Sequence, residues 1–90
     1  MVTKILKVVA QTEPVNVPSK KSKNGQLAKC MIRLKELGDY GDEFVCAAFG
    51  NLALCKFETG KTVVVSLRFG THESNGSFFQ DVVINDIHTI

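Results

Sequence analysis

Apolar residues recur along this chain mostly at every second position, the period of a strand with one buried face. The pattern is clearest in Gln26–Lys35, where Ala28, Cys30, Ile32 and Leu34 share one face and Lys29, Met31, Arg33 and Lys35 share the other. Lys61–Gly70 repeats it, with Val63, Val65, Leu67 and Phe69 set against Thr62, Val64, Ser66 and Arg68. Val2–Gln11, Glu43–Phe49 and Phe78–Ile90 are rich in β-branched and apolar residues and predict three more strands. Between these segments lie breakers. Thr12–Gly25 holds Pro14, Pro18, Ser19, Ser22 and the Asn24-Gly25 pair, a long polar loop closed by a turn signal. Gly38-Asp39-Tyr40-Gly41-Asp42 is a tight connection, and Ser74-Asn75-Gly76-Ser77 is a hairpin turn. Asn51–Phe57 (NLALCKF) has better helix formers, is too short to stand alone, and carries Asn51 where a cap is needed; Glu58-Thr59-Gly60 ends it.

Five strands with one short helix between the third and fourth are the element order of a five-stranded Greek-key OB-fold barrel, all-β apart from that helix. Closing the barrel removes the free edges that five short strands would otherwise expose. A two-sheet sandwich wants about seven strands and ~100 residues, and small SH3-like barrels lack the helix. The 90 residues, 44% of them hydrophobic, predict a single domain over 1–90 whose small core favours self-association. No apolar run approaches the ~20 residues of a membrane span, and the N-terminal MVTKILKVVAQ lacks the pattern of a secretion signal. A soluble cytoplasmic protein is expected.

The net charge of +2 carries little information as a total, but its distribution does. Pro14 to Lys35 contains Lys20, Lys21, Lys23, Lys29, Arg33 and Lys35 and no acid, while the other residues sum to −4. Three of those cations fall in the polar loop and three on one face of the second strand. A solvated lysine-rich loop accounts for such a run as readily as a binding surface does.

Candidate chemistry is sparse. Cys30, Cys46 and Cys55 form no CxxC pair and sit among apolar residues, which predicts reduced, buried thiols rather than a disulfide framework. His72 and His88 have no partners at metal-site spacing, so neither a metal nor a cofactor is expected. Gly60-Lys61-Thr62 matches the end of a phosphate-binding P-loop, but Cys55 stands where the first glycine belongs and Val63-Val64-Val65 follows where a helix should open. With no nucleophile–base pair in view, a binding module is expected and not an enzyme.

The run Glu43-Phe-Val-Cys-Ala-Ala-Phe-Gly-Asn-Leu-Ala53, the Gly60-Lys61 entry into three valines and the ending Asn75-Gly-Ser-Phe-Phe-Gln-Asp-Val-Val-Ile resemble, in order and spacing, the bacterial single-stranded DNA-binding protein family. The likeness extends to its small OB-fold members in bacteria, phages and mobile elements. It implies binding of single-stranded DNA in replication, recombination or repair, inside a bacterial or phage-infected cell, by a homo-oligomer (dimer or tetramer). It also places the aromatic before Gly50, here Phe49, on the nucleic-acid side. Two departures stand out: the chain has no Trp, the family's usual stacking residue, and no acidic C-terminal tail for recruiting partner proteins.

OB-folds lay their ligand across strands two and three, flanked by the 1–2 and 4–5 loops. The expected nucleic-acid site is therefore Lys20, Lys21, Lys23, Lys29, Met31, Arg33, Lys35, Phe49, Arg68 and Phe78, with Ser66 beside Arg68. Phe49 is a stacking platform or a core residue. Phe78 and Phe79 are adjacent, so one points in and one out, and alternation does not decide which. Tyr40 is a weaker stacking candidate in its turn. The same groove suits RNA, and a basic face also suits an acidic protein partner.

Overall fold

The computed structural model describes residues 1–20 and 24–90, so Lys21 and Lys23 lie outside the described residues. In chain order the elements are β1 (Val2–Gln11), β2 (Val15–Pro18), β3 (Gln26–Glu36), β4 (Glu43–Phe49), α1 (Asn51–Leu54), β5 (Thr62–Ser74) and β6 (Ser77–Thr89). β1 pairs antiparallel with β5 from Val2↔Leu67 to Lys7↔Thr62, then with β3 from Leu6↔Glu36 to Gln11↔Ile32. A register shift between Val8 and Ala10 bends the strand from one partner to the other. β3 pairs with β4 and β5 with β6, both antiparallel, and the parallel pair Ala47↔Val83 joins β4 to β6. The ring β1-β3-β4-β6-β5 is closed, in the strand order of an OB-fold barrel.

The inward faces are the ones the alternation marks, except at Phe69, which is 40% exposed where β5 leaves the barrel. Cys30, Ile32, Leu34, Val63, Val65 and Leu67 are all at most 2% exposed, and Leu6, Val8, Cys46, Ala48, Ile84 and Ile87 complete the core. α1 covers one end of it, burying Ala53 while Leu52 and Phe57 pack alongside. At the other end Phe44 packs against the core and meets Phe69 edge-on at 6.5 Å, with Lys4 Nζ 5.6 Å from the Phe44 ring.

The structure departs from the sequence reading in four further places. The 12–25 segment is not all loop: Val15–Pro18 forms β2, a four-residue strand on the edge of β3 from Val15↔Lys29 to Pro18↔Gln26. The described residues thus form six strands, five of them in the ring. The helix stops at Leu54, and its cap position is Gly50, not Asn51; Gly50 has φ 66°, a left-handed conformation that glycine takes without strain, and among the described residues no side chain caps the helix. β5 continues past Gly70 to Ser74, so β5 and β6 run on as a two-stranded ribbon to a turn at Asn75 (φ 53°) and Gly76 (φ 80°). Both turn residues at positive φ match a type I′ hairpin. Finally, Cys30 and Cys46 are buried but Cys55 is exposed, because the chain leaves the core as α1 ends. Gln11 pins that exit: its Nε2 donates to the Cys55 carbonyl at 2.6 Å and its Oε1 accepts from the Phe57 N–H at 2.8 Å.

Candidate nucleic-acid interface

Because β3 and β4 bury one face each, their other faces form a continuous outer surface. Its rows follow from register: Lys29 beside Phe49, Met31 beside Ala47, Arg33 beside Val45 and Lys35 beside Glu43. The pairs Ala47↔Val83 and Val83↔Arg68 extend the second row across the sheet, giving Met31, Ala47, Val83 and Arg68 in line on four strands. Along this surface runs a groove of about 330 Å³ lined by Lys29, Met31, Val45, Ala47, Phe49, Gln80, Asp81, Val82 and Val83.

Phe49 is half-buried on the outer face, and Lys29 Nζ lies 5.7 Å from its ring centroid. The two form a cation–π pair at one end of the groove, a ring for a base beside an amine for a phosphate. Lys20 is exposed near the tip of the β2–β3 hairpin, beyond this end. Arg33 is less available than its position implies: Nη2 contacts Glu43 Oε2 at 2.9 Å. Lys35 lies at the far end of the same face, and Arg68 is exposed on the opposite flank. Ser66 is half-buried, and its Oγ lies 3.4 Å from Thr3 Oγ1, on the side facing β1. Tyr40 is fully exposed in the β3–β4 connection.

The β5–β6 ribbon also settles the two adjacent phenylalanines. β4 and β6 run parallel, so the ribbon projects past the Glu43 end of β4. Its pairing is unbroken from Arg68↔Val83 to His72↔Phe79, which puts Phe79, Asp81 and Val83 on one face with His72 and Arg68. That face is continuous with the groove. Phe78, opposite Glu73, lies on the other face with Phe69 and Val82; it is 81% exposed but turned away from the groove floor. Phe79 stacks on His72 (centroids 5.1 Å, planes 18° apart), and His72 Nδ1 lies 2.7 Å from Asp81 Oδ2.

His72, Asp81 and Glu43 are the groove-side residues that sequence reasoning missed; of the pair Phe78 and Phe79, which it left open, Phe79 lies on this side. Strand alternation alone would have grouped Phe79, Asp81 and Val83. Connecting that group to β4 requires the parallel pairing, which leaves no local sequence signal. Among the described residues no three His, Cys, Asp or Glu side chains gather as a metal site would require.

No protein-family model matches the chain, and none of the curated proteins matches its sequence. Solved structures do match its shape. One is the second OB-fold domain of replication protein A from Methanococcus maripaludis, with a TM-score of 0.69 over 98% of this chain and 81% of that one. Another is the N-terminal domain of PriB from Thermoanaerobacter tencongensis, described as dimeric, with a TM-score of 0.59 over 99% and 93%. A third is a small single-stranded DNA-binding protein from Streptomyces coelicolor, with a TM-score of 0.52 over 99% and 94%. Each is 18% identical to this chain, so the likeness shows the fold: an OB-fold barrel over nearly the whole length.

Proposed function

We propose that this chain is a non-enzymatic module that binds single-stranded DNA, without strong sequence specificity, across the outer face of β3 and β4. The observation that carries this reading is the groove itself. An apolar floor of Val45, Ala47 and Val83 has the Phe49–Lys29 pair at one end and the Phe79–His72 stack beyond the other, with Arg68 alongside. A floor that excludes water, rings for bases and cations for phosphates are the parts of sequence-tolerant single-strand binding. The Streptomyces coelicolor structure, a single-stranded DNA-binding protein of the same fold, supports the reading.

Among the described residues, cations available to phosphates are Lys20, Lys29, Lys35 and Arg68, and the sequence adds Lys21 and Lys23. If about four phosphates are neutralised, log K falls with log[salt] at a slope near −3. Binding by one barrel is then modest, and self-association would repeat the site. Exposed Met1, Val2, Ile5 and Ile90 supply apolar surface for a second copy, and the PriB domain, dimeric in its solved structure, supports such pairing. Replication, recombination or repair in a reducing bacterial or phage-infected cytoplasm is the setting that fits three free thiols.

The test is fluorescence anisotropy with a labelled oligo-dT, a matched single-stranded RNA and the duplex, each at two salt concentrations, with light scattering for the assembly state. Salt-sensitive binding to the single strands, with DNA ahead of RNA and the duplex weakest, is the expected result. RNA ahead of DNA would move the function to RNA, since OB grooves serve either sugar. Absence of binding to all three would end the nucleic-acid reading and leave an OB-fold module with a protein partner.

A further inference from the structure

The groove has flanks of one chemistry and a floor of another. Cations stand on the outer strands, Lys29, Arg33 and Lys35 on β3 and Arg68 on β5, whereas the middle strands β4 and β6 present apolar side chains and two carboxylates, Glu43 at the end of β4 and Asp81 on β6. A phosphate passing over Asp81 would meet a like charge, so the backbone of a bound strand keeps to the flanks and turns its bases onto the floor. There the carboxylate has one oxygen to offer a base. Oδ2 is engaged by His72 Nδ1 at 2.7 Å, while Oδ1 has no hydrogen-bond partner among the described residues, and the side chain is 46% exposed. The other acid of this face, Glu43, lies at the end of β4 outside the groove lining, with its Oε2 neutralised by Arg33 at 2.9 Å.

A carboxylate only accepts hydrogen bonds. Cytosine and adenine each present an exocyclic amine, and guanine presents an amine beside a ring N–H. Thymine presents one N–H flanked by two carbonyl oxygens, which a carboxylate repels. We propose that Asp81 is a specificity-determining residue that biases the groove toward amine-bearing bases and against thymine. His72, stacked on Phe79, acts as its positioning residue by fixing where Oδ1 points. The inference rests on the single-strand reading and narrows it, from any base to bases that can donate.

The experiment compares wild type with D81A on labelled oligo-dC and oligo-dT of equal length, at mildly alkaline pH so that cytosine stays neutral. Removing the carboxylate lifts a repulsion from every phosphate, so both affinities rise at low salt. The dC-over-dT preference is expected to fall by about fivefold, the low end for one base-edge contact. An unchanged ratio in D81A overturns the role of Asp81 while leaving single-strand binding intact. Failure of the wild type to bind either oligonucleotide overturns the single-strand reading and this inference with it. Should D81A not fold, D81N keeps the side-chain shape and can donate to thymine carbonyls, so the same fall in ratio is expected.

Discussion

Phe49→Leu separates binding from folding, because the ring lies on the outer face and is not part of the buried core. Leucine keeps an apolar side chain over the floor and removes the flat surface. The folded state loses the Lys29 contact at 5.7 Å, which at a half-exposed site is about 0.5–1 kcal/mol. With a small loss of buried area added, the barrel should be destabilised by roughly 1–2 kcal/mol. Binding should suffer more. A stacked base is worth about 1–3 kcal/mol on removal of its platform, which is about 5- to 150-fold in Kd. Anisotropy of labelled oligo-dT at low salt reads the second number, and thermal unfolding followed by circular dichroism reads the first. A Kd within about twofold of wild type, with the variant folded, would refute the stacking role and make Phe49 packing for Lys29 alone.

Three further outcomes follow from particular contacts. Glu43→Gln releases Arg33 from its 2.9 Å partner, so the salt slope of single-strand binding should steepen by about 0.7; an unchanged slope places Arg33 outside the phosphate path. Gly41→Ala would set a Cβ 2.5 Å from the Glu36 carbonyl oxygen, and the backbone shift this forces should cost roughly 1–3 kcal/mol, read as a lower urea midpoint; no change would mean that the connection moves freely. Burial pushes the Cys46 thiol up to about 11 from 9.0. Below the lower value both states are protonated and stability is unaffected. Between the two the unfolded chain ionises while the folded one does not, so stability should fall by about 1.4 kcal/mol per pH unit relative to Cys46→Ala, as urea unfolding across that range will show.

The barrel is legible in the chain because its strands each bury one face, and burial on one face is what writes a period of two. Ile32, Leu34, Val63, Val65 and Leu67 are all fully buried and all lie where the alternation puts them. The missed parts have no such imprint. β2 is four residues long, holds a proline and leaves Val15 59% exposed, so it exists through the edge of β3 and not through a pattern of its own. Thr71–Ser74 is exposed on both faces and is kept in β5 by its partner strand. The helix start depends on a backbone angle at Gly50, which a scan for capping side chains passes over.

The candidate site divides the same way. Lys29, Met31 and Phe49 can be assembled from two neighbouring strands, but the charge of the face they lie on cannot. Six cations without an acid in Pro14–Lys35 describe the chain as a line. Folding sets Glu43 against Arg33 and carries Asp81, from the far end of the sequence, into the same groove. On the outer face the four cations Lys29, Arg33, Lys35 and Arg68 share the surface with these two carboxylates, and Arg33 is paired directly with Glu43. Local attraction for phosphate is therefore weaker than the linear count implies, since a carboxylate within a few ångströms offsets a cation more strongly than salt screens it. The apolar floor and its rings must supply the larger share of any affinity at physiological salt. That makes the aromatic positions, Phe49 first and Phe79 after it, the sharper test of what this surface does.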